Sequence, residues 1–412
     1  MAVEAARSSA RRTEREDQTP AATLQAAARH SARRRDPGVT SLRDYIDYLT
    51  PKRVGKLLFG VAVSLIVGEV SLYWLTPMEE FLPKDIVTKD AELGFRMVPN
   101  YVGTMVVKEN ATPFSLPLLT NSWGLRDREY GERPAGGMRV YVIGDSMIFG
   151  YGVPVEQTFT RFLEKSLQQQ LGRPIEAVNG GVPGYGTGEE LGFFERTADT
   201  VKPDVVLLAF NVFNDVDENI NFTAAAHKAS RLPSWLDEVR LWLRQRSQLY
   251  LLVRRYKAAA RTERILQVHR VEPPARIVKG LATTEDLLAR FAQAAASRGV
   301  RFAVVLIPNY RQVFPTVWAQ MVAKQGQAAA AFDPQQPNAR LTAALHARGI
   351  PVIDLLPVLR AHVDDALYYS VHWKAPGHEL VAKTVADFML GSGLLAPAPA
   401  VSATAAAAPD HT

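Results

Sequence analysis

Five short apolar runs punctuate the chain from residue 140 onward, at residues 140–144, 175–178, 205–210, 302–307 and 351–354. Near-continuous Val, Ile and Leu over so few residues fit strands buried on both faces, not the alternation of a half-exposed sheet. Between and after them, apolar positions recur at helical spacing near Thr283–Ser297, Asn338–Arg348 and Glu379–Met389. Strands that alternate with helices of this length predict a parallel sheet covered on both sides. Such sheets gather their working groups at the carboxyl ends of the strands.

A different pattern precedes the sheet. Residues 57–75 carry no basic residue and a single acid, Glu69, over a length sufficient for a hydrocarbon core of ~30 Å. Lys52, Arg53 and Lys56 open this stretch, and Tyr73 and Trp74 close it where an aromatic belt would lie. It reads as one transmembrane helix. Up to residue 56 the chain holds twelve Arg or Lys and seven Asp or Glu, a net of +5 against +6 for the whole chain. Positive charge concentrated before the helix predicts a cytoplasmic N-terminus and a periplasmic domain, single-pass. The apolar run begins too late, and lacks the small-residue site, for a cleaved signal peptide, so a signal anchor is expected. Acids interspersed among the arginines and the adjoining membrane segment argue against a nucleic-acid arm.

Chemistry enters at the strand ends. The first run delivers Gly144-Asp145-Ser146, a hydroxyl at a strand tip. The second leads into Asn179-Gly180-Gly181-Val182-Pro183-Gly184-Tyr185-Gly186, where glycines would let backbone N–H groups approach a substrate. The third leads into Asn214-Asp215, and late in the chain His372 stands in Val371-His372-Trp373-Lys374 before the last helix. The elbow of α/β-hydrolases needs glycine two residues after the serine, and here that position is Ile148. The second loop is not followed by Gly-Lys-Ser/Thr, which argues against a phosphate cradle. Cysteine is absent, which rules out disulfides and thiolate metal sites. His372, His378 and Glu379 are close in sequence, but His378 is expected to cap or be solvated at the helix start, so no metal and no cofactor is expected.

These four blocks resemble the SGNH hydrolase superfamily, the GDSL esterases and lipases, across most of residues 136–390. The resemblance implies a flavodoxin-like three-layer α/β/α sandwich with a parallel sheet. It carries the family's Ser, Gly, Asn and His onto Ser146, Gly184, Asn214 and His372. Ser146 is then the nucleophile and His372 the base, with the Ser146 and Gly184 N–H groups and the Asn214 amide receiving the oxyanion. The chain departs from the pattern where an Asp normally stands two or three residues before the His: here those residues are Ser370 and Tyr369. Asp364 or Asp365 could take the place of that acid, a carbonyl or the Ser370 hydroxyl could hold the imidazole, or activity could be lost.

The implied function is a membrane-anchored esterase acting on a carbohydrate O-acetyl or lipid acyl ester. Its alternatives are acyl transfer onto a polysaccharide and a degenerate glycan-binding scaffold of envelope polysaccharide machinery. The expected organisation is a basic disordered tail at 1–52, the anchor at 53–76 and a β-rich collar at 77–135. The hydrolase-like domain at 136–390 would carry a helical insertion at 218–275, and an Ala/Pro tail would occupy 391–412. The insertion, with Trp235–Leu243 and Tyr250–Tyr256, would pack on the core, cover the site or lie on lipid.

Overall fold

The computed structural model describes residues 50–75, 82–83, 85–107, 112–212, 214–220, parts of 235–256, 266–324, 326, 329–369 and 371–396. Residues 1–49 and 397–412 of the two expected tails, Phe213, Ser370 and most of the insertion lie outside them, whereas Pro51, Lys52 and Gly391 of those tails are helical. The described residues between Trp235 and Tyr256 are helical except Ser247. The chain divides into two units, Met1–Ser71 and Leu72–Thr412, each taken by itself.

In the first, one helix runs over Pro51–Leu75 without a single buried residue and continues to the start of the second. At 1.5 Å per residue its 25 residues reach ~37 Å. Among the described residues it is the one helix long and apolar enough to cross a membrane.

The larger unit opens with two antiparallel hairpins, β1 (Val87–Asp90) with β2 (Gly94–Met97), and β3 (Val102–Val107) with β4 (Phe114–Leu119). A central parallel sheet follows, built from β5 (Met138–Gly144), β6 (Ile175–Gly181), β7 (Val205–Asn211), β8 (Arg301–Ile307) and β9 (Val352–Asp354). Its spatial order is β6-β5-β7-β8-β9. Chain order therefore reverses beside β5, which makes the tip of that strand the topological switch point where such sheets bind ligands.

Alternate residues of β5 feed two separate cores. Tyr141 and Ile143 pack with Phe194, Leu281, Phe291 and Leu341 on one face. Val140 and Val142 pack with Phe159, Leu163, Val381 and Val385 on the other. The helices Thr187–Val201, Ala275–Ala296 and Gln336–Ala347 thus cover one side, and Phe159–Leu171 and Ala375–Gly391 the other. This is the expected three-layer α/β sandwich.

Three local expectations need correction. The run Asn179-Gly180-Gly181 is strand and not loop, pairing Gly180 with Ile143 and Gly181 with Gly144. The helix expected near Thr283 begins at Ala275, directly after Pro274, whose fixed φ suits a helix entry. The last helix begins at Ala375, so His378 lies within its first turn, buried to 1% exposure. It is neither solvated nor a cap: its Nδ1 accepts the Phe159 N–H at 3.1 Å.

Candidate active site

Ser146 is the first residue of a one-turn helix, Ser146–Phe149, that starts where β5 stops. Asp145 caps this turn, its side chain accepting the Met147 N–H at 2.8 Å. The cap satisfies a backbone donor that the start of the helix would otherwise orphan. It also fixes the direction in which the next side chain leaves the strand.

His372 comes from the loop before the last helix and meets the serine across 226 residues of sequence, Nε2 to Oγ 2.9 Å. Both residues are partly buried. The distance is that of a nucleophile hydrogen-bonded to its base. The loop carrying His372 is folded back on itself: the Tyr369 N–H donates to the His372 carbonyl at 2.9 Å, and Tyr368 bridges Trp373.

The Asn214 amide points toward the same strand tip. Its Nδ2 stands 3.5 Å from Asp145 Oδ2, too long for a strong hydrogen bond, whereas Asn211 Nδ2 donates to that oxygen at 2.9 Å. Asn211 thus takes the carboxylate, and Asn214 sits beside the nucleophile's own neighbour in the chain. Asn211 was not singled out in the sequence, although its place as the last residue of a strand was a signal.

Gly184 lies in the exposed turn after β6, with φ +87°, closed by the Tyr185 N–H donating to the Val182 carbonyl at 3.1 Å. β6 pairs with β5 up to Gly144, and the Val182 N–H donates to the Gly144 carbonyl at 2.9 Å, so this turn begins beside Ser146. Gly181 serves packing: its N–H donates to Asn179 Oδ1 at 3.0 Å, while Asn179 Nδ2 donates to the Ile148 carbonyl at 2.9 Å. The first glycines of the second block therefore seat the helix of Ser146 and do not face a substrate.

Asp364 is exposed and accepts the Ala366 N–H at 2.8 Å, capping the short turn before the His372 loop. The Asp365 side chain and Ser370 lie outside the described residues. Tyr369, at one of the family's acid positions, donates its hydroxyl to the Gly152 carbonyl at 3.0 Å.

Acids crowd the other side of the strand tip. Glu190 is fully buried, and no described group hydrogen-bonds either of its carboxylate oxygens. Burial first, then the charges of Asp145, Glu218 and Glu189, hold its carboxyl well above the usual carboxylate range. Asp215 is raised in the same way, by burial and then by Glu190, Glu218 and Asp145, although the Asn211 N–H on its Oδ2 opposes the shift. Among the described residues no group of three or more His, Asp or Glu is arranged to hold a metal ion.

Comparison with known proteins matches residues 142–380 to the model of the GDSL-like Lipase/Acylhydrolase family. An arylesterase of Vibrio mimicus is 31% identical over 70 residues, which are 17% of this chain and 34% of that protein. The chain thus spans about a third of the length of this curated relative. Among solved structures, the lipase/acylhydrolase from Enterococcus faecalis is 14% identical, covering 62% of this chain and 96% of its own, with a TM-score of 0.35. A catalytic mutant of Axe2, an acetylxylan esterase from Geobacillus stearothermophilus, is 12% identical over 61% of this chain and 94% of its own, with a TM-score of 0.37. With the family model spanning more than half of its length, from β5 into the last helix, the chain belongs to the GDSL-like Lipase/Acylhydrolase family.

Proposed function

We propose that this protein is a serine esterase, anchored by one transmembrane helix, that cleaves an O-acyl ester outside the cytoplasm. The observation that carries the reading is the 2.9 Å contact between Ser146 Oγ and His372 Nε2 at the switch point of the sheet. In the proposed mechanism Ser146 Oγ attacks the ester carbonyl carbon as His372 Nε2 takes its proton. The tetrahedral oxyanion is received by the Ser146 and Gly184 N–H groups and the Asn214 amide. His372 then gives the proton to the departing alcohol oxygen as the C–O bond breaks. Water, activated by the same imidazole, releases the acid from Ser146.

The exposed helix Pro51–Leu75 and the basic residues before it support anchoring with the domain on the far side of the membrane. The arylesterase relative supports an ester substrate. A carbohydrate O-acetyl or lipid acyl ester within the envelope fits that location.

The test is turnover of p-nitrophenyl esters of increasing chain length, with fluorophosphonate labelling, by the full chain in detergent and by its Ser146→Ala variant. Labelling and turnover that vanish with Ser146 are expected. A folded wild-type protein that neither labels nor turns over would overturn the reading.

A further inference from the structure

Tyr151 lies five residues past the nucleophile and is 3% exposed. Its ring centroid is 4.8 Å from that of His372, with the planes at 51°. That separation is within the range at which an aromatic ring attracts a cation. The imidazole is neutral before the attack on the ester and positive once it has accepted the serine proton, so the attraction grows as the reaction proceeds.

The surroundings of Tyr151 hold its hydroxyl and the backbone on either side of it. Its hydroxyl donates to the Val106 carbonyl of β3 at 3.1 Å, and its N–H to the Ser146 carbonyl at 3.3 Å. Gly150 and Gly152, on either side, have φ of +76° and +89°, a conformation that places Tyr151 between two left-handed residues. A Cβ on Gly152 would stand 2.7 Å from the Tyr369 ring, and the Tyr369 hydroxyl donates to the Gly152 carbonyl at 3.0 Å. Arg126 is 1% exposed and donates to the carbonyls of Phe149, Gly150 and Val153 at 2.9, 2.8 and 2.7 Å. A buried guanidinium spent on three carbonyls of one loop holds that loop rigidly.

We infer that Tyr151 is a positioning residue for His372, its clamped ring holding the imidazole against Ser146 and favouring the imidazolium that forms during acyl transfer. The inference rests on the serine esterase reading and adds to it. It does not depend on which group meets the other imidazole nitrogen, since ring and acid would act together. Among the described groups, His378 is close enough to this imidazole for their charges to interact, and Asp145 stands beside the serine.

The experiment compares Tyr151→Phe and Tyr151→Leu in the full chain. It measures kcat and KM for p-nitrophenyl acetate, the rate of fluorophosphonate labelling and the melting temperature. Tyr151→Leu is expected to lower kcat and the labelling rate by roughly three- to thirty-fold with KM little changed. Tyr151→Phe keeps the ring, loses the hydroxyl with its bond to Val106, and is expected to restore most of the rate. A Phe variant as slow as the Leu variant would overturn the inference by making the hydroxyl, not the ring, the active element. Wild-type rates in a folded Leu variant would overturn it too. Should Tyr151→Leu not fold, the Phe variant alone decides, since wild-type kcat is expected and a comparable loss would refute the role of the ring. A wild-type protein without labelling would instead overturn the esterase reading, and this inference with it.

Discussion

Gly181 lies against Phe149 so closely that no side chain fits between them. A β-carbon built on Gly181 would fall inside contact distance of the Phe149 nitrogen and 2.6 Å from the Ile148 carbonyl carbon. Both atoms are backbone and cannot swing aside. Gly181→Ala is therefore expected to push the Ser146–Phe149 turn off the strand, costing about 1–3 kcal/mol. Urea unfolding would show the stability loss, and fluorophosphonate labelling would fall further than in Gly391→Ala, where a β-carbon meets nothing within 4 Å. Equal labelling by the two variants would contradict this account.

Arg126 satisfies three buried carbonyls with a single side chain. Burial, opposed by the charges of Glu156 and Asp127, pushes its guanidinium down to about 10, so it stays charged at neutral pH. Arg126→Met removes a donor from all three carbonyls and leaves Gly150 only the Val153 N–H at 3.3 Å, a loss of roughly 2–5 kcal/mol. Arg126→Lys is expected to recover little, because an ammonium lacks the planar fork. Chemical denaturation of both variants checks this, and a lysine variant as stable as wild type would refute it.

His378 makes folding sensitive to mild acid. Its Nδ1 must stay unprotonated to accept the Phe159 N–H. Burial first, then the charges of Arg126 and His372, holds it down to about 3. The unfolded chain takes up this proton near the ordinary value of 6.5, so the stabilisation is complete above that pH and declines as pH falls toward 3. At pH 5 the deficit is about 2 kcal/mol. His269, also buried and held down to about 3, acts in the same sense. His378→Gln, whose amide oxygen can accept the same N–H, is expected to halve the loss of unfolding free energy between pH 7.5 and 5. Parallel pH dependences in variant and wild type would argue against it.

Glu190 acts in the opposite sense. Its carboxyl is held well above its usual range, so the folded state keeps a proton that the unfolded chain releases near pH 4 to 5. Stability from this group is full below that pH and drains away as pH rises toward the folded value. Glu190→Gln is expected to raise the melting temperature at pH 8 by roughly 2–4 °C for each kcal/mol gained, and much less at pH 5. A melting temperature shifted equally at both pH values, or lowered at pH 8, would count against a protonated Glu190.

The sheet was legible because a parallel strand buried on both faces leaves a solid apolar run, and β5, β7 and β8 each do so. The strand tips were legible for the same reason, since a run that stops at Ser146 or Asn214 marks the carboxyl edge. His378 was misread because a histidine near a helix start looks solvated, and its acceptor role depends on Phe159, 219 residues away. Asn179-Gly180-Gly181 looked like a loop because glycines weaken strands, whereas the close approach of the Ser146 turn demands Gly181 and that of the Tyr141 ring and Val142 carbonyl demands Gly180. The work of Arg126 was invisible: a guanidinium that binds backbone carbonyls leaves no complementary residue type to find. Glu190 was equally hidden, because burial of an acid is set by what packs over it.

The separation of Ser146 from His372 by 226 positions also sets the timing of assembly. Synthesis delivers the hairpins, Arg126 and β5 long before the imidazole. A growing chain therefore carries Ser146 through 226 further positions before its hydrogen-bond partner exists. Premature termination between Ser146 and His372 yields a protein that holds the hydroxyl without the imidazole.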